Sequence, residues 1–162
     1  MRYLTLVTFV CAFMAAPAGA QAPDPQMTAP IQKFIDSFNK GDTAGAMATH
    51  AAGADLAIID EVPPFIWRGA KAFQAWSTAL DAASKQGGIT DQKVTISAPT
   101  RTESSGDSAY VIVPAVYTYM EKGVAMREAA QMTFTLKKGA SGWLIHGWTW
   151  TGPKPQRVAP AK

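Results

Sequence analysis

The sequence predicts an α+β fold, with helices gathered in its first half and a four-strand antiparallel meander in its second. Two observations carry that expectation. Up to Ala83 the apolar residues recur three and four apart; from Thr90 the period drops to two, in runs rich in Val, Ile, Thr and aromatics. The breaks between the later runs are short turn sequences, and strands joined so briefly must run antiparallel. Helices laid on one face of a curved sheet follow from that order.

Residues 1–20 read as a secretion signal. Arg2 supplies a positive start, Leu4 to Ala16 is apolar and uncharged, and Ala18-Gly19-Ala20 is a small-residue cleavage site. The apolar run is shorter than the roughly 20 residues that span a bilayer. The mature chain is therefore expected to begin near Gln21, periplasmic or secreted, with no membrane association after cleavage. Residues 21–30, with Pro23, Pro25 and Pro30, read as an extended leader.

The folded domain is expected over residues 31–151. Ile31, Phe34, Ile35 and Phe38 form one stripe of a first helix, with Thr28 as its cap and Gly41 as its end. Asp42 caps a second, shorter helix through Ala46, Met47 and His50. Leu56 to Ile59 reads as a short strand stopped by Pro63-Pro64. Phe73, Trp76 and Leu80 mark a third helix that ends at Gly87-Gly88. The four strands are Thr90–Thr100, Ser108–Met120, Val124–Leu136 and Trp143–Thr151. Residues 152–162, proline-rich again, read as a mobile tail.

Composition removes several kinds of chemistry. The one cysteine, Cys11, sits inside the signal, so the mature domain has no disulfide, thiol nucleophile or thiolate metal site. Fifteen basic residues, Arg2 among them, face 12 acidic ones. That excess is too small and too scattered to argue for nucleic acid. His50 and His146 fit no metal-ligand spacing, so neither a metal nor a cofactor is expected. Glycine-rich phosphate loops and serine nucleophile elbows are missing too.

Four segments together carry a resemblance. Phe-Asn-Lys-Gly-Asp at 38–42, Ala-Asp-Leu-Ala-Ile-Ile-Asp at 54–60, Trp67-Arg68-Gly69 before the third helix, and Gly142-Trp143-Leu144-Ile145 resemble the nuclear transport factor 2-like superfamily, in particular its SnoaL-like and ketosteroid isomerase-like branch. The resemblance covers about Ile31 to Thr151. It implies a cone: a strongly bent antiparallel sheet wrapped around three N-terminal helices, with a pocket at the open end and an outer sheet face that often pairs two subunits. It does not imply a reaction, because the same cone serves many chemistries.

The resemblance also marks positions. Asp60, nine residues before Gly69, matches the place where the isomerases keep their proton-abstracting aspartate; among Ile58, Ile59, Val62 and Pro63, burial would raise its pKa. The structural alternative is a solvated carboxylate at the end of a strand. The isomerases' oxyanion-holding tyrosine is matched by Phe34, which has no hydroxyl. Their second donor falls near Gln131 or Thr133. Steroid isomerase activity is accordingly not expected.

Alternation sorts the remaining strand residues into faces. By the family pattern Trp143, Ile145, Gly147, Thr149 and Thr151 face the cone, with Val111, Val113, Ala115, Tyr117 and Tyr119 from an earlier strand. The expected ligand-binding set is Trp67 at the mouth with Ala115, Tyr117, Tyr119, Gln131, Gly147 and Thr149. The opposite set, Met132, Phe134, Leu136, Leu144, Trp148 and Trp150, would form an apolar outer face large enough to pair two copies. Three readings result: an exported module binding a small apolar or aromatic molecule, an isomerase- or cyclase-type enzyme using Asp60 as base, or an interaction subunit without ligand.

Overall fold

The computed structural model describes residues 25–159. The secretion signal read over residues 1–20, the start of the leader and Pro160 to Lys162 lie outside the described residues.

Helix α1 runs Pro25–Asn39, starting six residues before the Ile31 that opens its apolar stripe. Proline is tolerated in the first turn, where no backbone N–H is needed, and Met27 is buried with Ile31, Phe34 and Ile35. The second half of the presumed leader is thus helix. Thr28 lies inside it and bonds Pro25 O rather than capping. Helix α2 (Thr43–Met47) is capped by Asp42, whose carboxylate accepts from Gly45 N–H at 2.8 Å, as the sequence indicated. Strands β1 (Ala57–Ile59) and β2 (Ile66–Arg68) form an antiparallel pair. Helix α3 (Ala72–Gly87) ends on Gly88 in the left-handed conformation.

The long strands follow. β3 (Ile89–Ile96) and β4 (Arg101–Ser105) both pair with β5 (Ser108–Glu121), so they are two pieces of one edge, broken at Ser97 to Thr100. β6 (Val124–Gly139) and β7 (Gly142–Thr151) complete the meander, and the path across the sheet is β2-β1-β7-β6-β5-β3. β1 joins β7 in parallel, Ile58 beside Trp148. Asn39, at the end of α1, docks the helix on β3: its amide both donates to Val94 O and accepts from Val94 N–H, each at 2.8 Å.

Two details decide which side chains point inward. β5 and β6 are joined by a two-residue turn, Lys122 and Gly123, both with positive φ (49° and 83°), which is the tight hairpin geometry. That turn sets Tyr117 opposite Glu128, Val113 opposite Met132 and Val111 opposite Phe134. Met132, Phe134 and Leu136 are therefore core residues, each 2 % exposed or less. Second, β7 carries a bulge: Leu136 pairs with Ile145, but Thr135 pairs with Gly147, leaving His146 without a partner in the ladder. The bulge keeps Trp143 and Ile145 inward, as expected, and turns Trp148 and Trp150 inward as well. A one-residue insertion of this kind moves every later side chain to the other face.

The apolar outer face read from alternation is therefore corrected. Of its six members only Leu144 lies on the opposite side; the others pack inside the chain's own core or cavity. Gly147 sits where it does for a different reason from the one expected. A Cβ there would come within 2.8 Å of Ala57 O, so a residue without a side chain is what lets β1 lie against β7.

The tail is tied to the sheet as far as Val158. β8 (Gln156–Arg157) pairs with β6 near Met126 and Arg127, Val158 N–H bonds Ala125 O at 2.9 Å, and Pro155 reaches the cavity. Among the described residues, no helix is long and apolar enough to cross a membrane.

Candidate functional site

Between α1, α3 and the concave side of the sheet lies a cavity of about 310 Å³. Its wall is mostly aromatic and aliphatic: Phe34 and Phe38 from α1, Trp76 and Leu80 from α3, Trp148 and Trp150 from β7. Three carboxylates interrupt it, Asp60, Glu61 and Glu128.

Asp60 follows β1 directly, at the point where the chain leaves the sheet and turns back towards β2. Its backbone N–H bonds Phe65 O at 3.1 Å, closing that turn. One carboxylate oxygen accepts from the Trp76 indole N–H at 2.6 Å, the other from the backbone N–H of Glu61 at 2.7 Å. Burial raises its pKa above the usual aspartate range, against the two donors, which favour the charge.

Glu128 is only 2 % exposed and faces Tyr117 across the β5–β6 ladder. Its Oε1 accepts from Trp150 Nε1 at 2.8 Å. Glu61, at the exposed rim, shares a hydrogen bond with it. Burial, and after it the neighbouring Glu128 charge, push the Glu61 pKa up to about 7. Burial also raises Glu128, while Trp150 and Glu61 stabilise its ionised form. A carboxylate this enclosed needs space behind it, and Gly152 provides it; a Cβ at that position would overlap the Glu128 carboxylate.

Tyr117 and Tyr119 line the cavity together, rings 4.7 Å apart. The Tyr117 hydroxyl donates to Gln92 Oε1 at 2.6 Å, and burial raises its pKa. His50 sits deeper in the core. Its Nδ1 approaches Ala46 O at 3.0 Å and its Nε2 accepts from Trp148 Nε1 at 3.1 Å, so the ring is held neutral; burial lowers its pKa to about 4. It orients Trp148 rather than reaching a ligand.

Of the residues picked out in advance, the structure brings Asp60, Tyr117 and Tyr119 to one cavity. Ala115 is inward but packed in the core away from the cavity wall. Trp67 is also a core residue, 7 % exposed and opposite Ile58, and does not close the mouth. Gly147 and Thr149 lie on the other face beyond the bulge, and Gln131, paired with Pro114 and Thr151, is exposed. The inward carboxyl of that strand is Glu128, which the sequence reading did not pick out. Trp76, Trp148, Trp150 and Glu61 were also missed as lining. The tight Lys122-Gly123 turn was the available signal: once Tyr117 points inward, a two-residue hairpin requires Glu128 to do the same.

No family model matches the sequence, and no curated protein matches it. Solved structures do. A nuclear transport factor 2-like superfamily protein of Salmonella enterica serovar Typhimurium superposes with a TM-score of 0.66 at 15% identity, over 85% of this chain and 96% of that one. A ketosteroid isomerase-like protein of Erwinia carotovora gives 0.59 at 21% identity, over 84% and 96%. A type 2 hexachlorocyclohexane dehydrochlorinase gives 0.63 at 14% identity, over 82% and 89%. Likeness at these identities is likeness of backbone. The superpositions extend over most of both chains, and the chain has the nuclear transport factor 2-like fold, with its helices against a curved sheet.

Proposed function

We propose that this chain is an exported binding module that holds a small molecule with an apolar or aromatic body in the cavity between α1, α3 and the sheet. The observation that carries the reading is the cavity itself: about 310 Å³, walled by aromatic side chains from three elements, with a few polar groups at fixed positions. That is the usual make-up of a small-molecule site. Export rests on the charge, apolar run and cleavage pattern of residues 1–20. A panel of hydrophobic small molecules, followed by thermal shift and by tryptophan fluorescence, tests it. Ligands should raise the melting temperature and alter the emission of Trp76, Trp148 and Trp150; a panel that does neither removes the proposal.

A second reading is favoured by Asp60. A buried carboxylate of raised pKa, steadied by an indole N–H and open to an apolar cavity, is suited to taking a proton from carbon beside a carbonyl. Under that reading Tyr119 or the Glu61–Glu128 pair would face the developing negative charge. Asp60→Asn is expected to abolish such turnover while leaving binding in place, and turnover that survives the substitution excludes the role.

Pairing of two copies would have to use the face away from the cavity, where Ile112, Pro114 and Val116 of β5 are half-buried. Sedimentation velocity measures the mass directly, and a monomer at the highest working concentration argues against it.

A further inference from the structure

We propose that the cavity's occupant is an organic cation, a protonated or quaternary amine carried on an apolar body. This rests on reading the cavity as a binding site, and it names the class of ligand.

Charge is the first ground. The lining carries Asp60, Glu61 and Glu128 and, among the described residues, no lysine or arginine. N–H donors steady Asp60 and Glu128, but no cation in the lining balances their charge, so a positively charged occupant is favoured over a neutral or anionic one in this largely apolar enclosure.

Hydrogen-bond direction is the second. The donors on the wall are already committed: Trp76 to Asp60, Trp150 to Glu128, Trp148 to His50 and Tyr117 to Gln92. Among the described residues, the Tyr119 hydroxyl is the aromatic donor of the lining left over once these bonds are made. Asp60, Glu61 and Glu128 border the same space. A site that accepts and barely donates selects a donor or a cation and disfavours a carboxylate, phosphate or ketone.

The third ground is the rings. Tyr117 and Trp150 stand at 82° with centroids 6.1 Å apart, and Tyr119 lies beside Tyr117, so electron-rich faces and carboxylates border the same space. Alkylated ammonium groups are drawn to such faces within about 6 Å of the ring centre. A bare metal ion fits poorly: among the described residues no three acids or imidazoles are grouped closely enough to hold one. Phe34, Phe38, Leu80 and Val94 then take up the apolar remainder.

Three probes of similar size separate charge from shape: phenyltrimethylammonium, its uncharged isostere tert-butylbenzene, and benzenesulfonate. Each is titrated into the chain by calorimetry and tryptophan quenching. The cation is expected to bind roughly tenfold or more tightly than the isostere, and the sulfonate not at all. Glu128→Gln keeps an acceptor for Trp150 while removing charge; it should weaken the cation about tenfold and leave tert-butylbenzene unchanged. If that variant does not fold, Asp60→Asn provides the same comparison. Equal or tighter binding of tert-butylbenzene, or cation affinity indifferent to the charge-removing variant, overturns the assignment while the cavity remains a binding site. Failure of all three probes together with the hydrophobic panel overturns both.

Discussion

Replacing Trp76 with phenylalanine isolates the contact on which Asp60 depends. The substitution does two things. It removes the indole N–H that reaches Asp60 at 2.6 Å, and it shrinks a ring packed against Phe34, Phe38, Phe73 and Trp148. A hydrogen bond to an ionised group in a partly buried setting contributes about 1.5–3 kcal/mol. The lost ring volume adds about 1 kcal/mol, typical of a partial core truncation. Only the first component depends on the charge of Asp60, so pH separates them. At neutral pH, urea denaturation of Trp76→Phe should show both losses. Well below the aspartate range, where Asp60 is protonated in both proteins, the difference should shrink to the packing loss. The Asp60 carboxyl, followed by carbon NMR, should titrate at higher pH in the variant, since a donor favouring its charged form is gone. A stability loss that is the same at both pH values would refute the claim that Trp76 holds the charge.

Further expectations concern the close approaches and the titrating groups. Gly147→Ala should cost about 2–3 kcal/mol in denaturation, because its Cβ would meet Ala57 O and separate β1 from β7. His50 has a folded pKa near 4 against 6.5 unfolded, so its contribution is full above pH 6.5 and lost as pH falls through 4. That loss is worth about 3 kcal/mol, and His50→Gln should flatten the acid side of the stability profile. Glu61 works in the opposite sense: raised from 4.5 to about 7, it favours the fold most below pH 4.5 and loses that effect as pH rises through 7. The two overlap, so each must be read as wild type minus variant, and Glu61→Gln should be the flatter profile on the neutral side. Gly152→Ala should push the Glu128 carboxylate or the following tail aside, seen as faster amide exchange in β8 and the facing part of β6.

The helices were legible because each announces itself locally. The stripe from Ile31 to Phe38, the Asp42 cap and the Gly88 terminus all act within one or two turns. The inward set of β5 was legible for the same reason, since alternation holds along an unbroken strand. What failed was propagation between strands. Assigning β6 by its apolar residues ignored the register that Lys122-Gly123 imposes, and β7 was read as regular when His146 interrupts it. Asp60 could be placed by spacing, but not its companion, because Glu128 meets it only after two turns and a bulge have been resolved. The cover of Met126 and Arg127 by Gln156 and Arg157 is still less visible: a proline-rich tail has the composition of a mobile segment, and here it pairs with β6.

The unpaired His146 has a consequence for how this cavity tolerates changes of chain length. Excising that one residue would leave Ile145 opposite Leu136 and Gly147 opposite Thr135, so β7 would become regular with both indoles still inside. Ironing out the kink while keeping every residue would instead seat Gly147 opposite Phe134 and carry the indoles to the exterior. The wall of the cavity thus withstands the loss of this residue, but not its enrolment in the ladder.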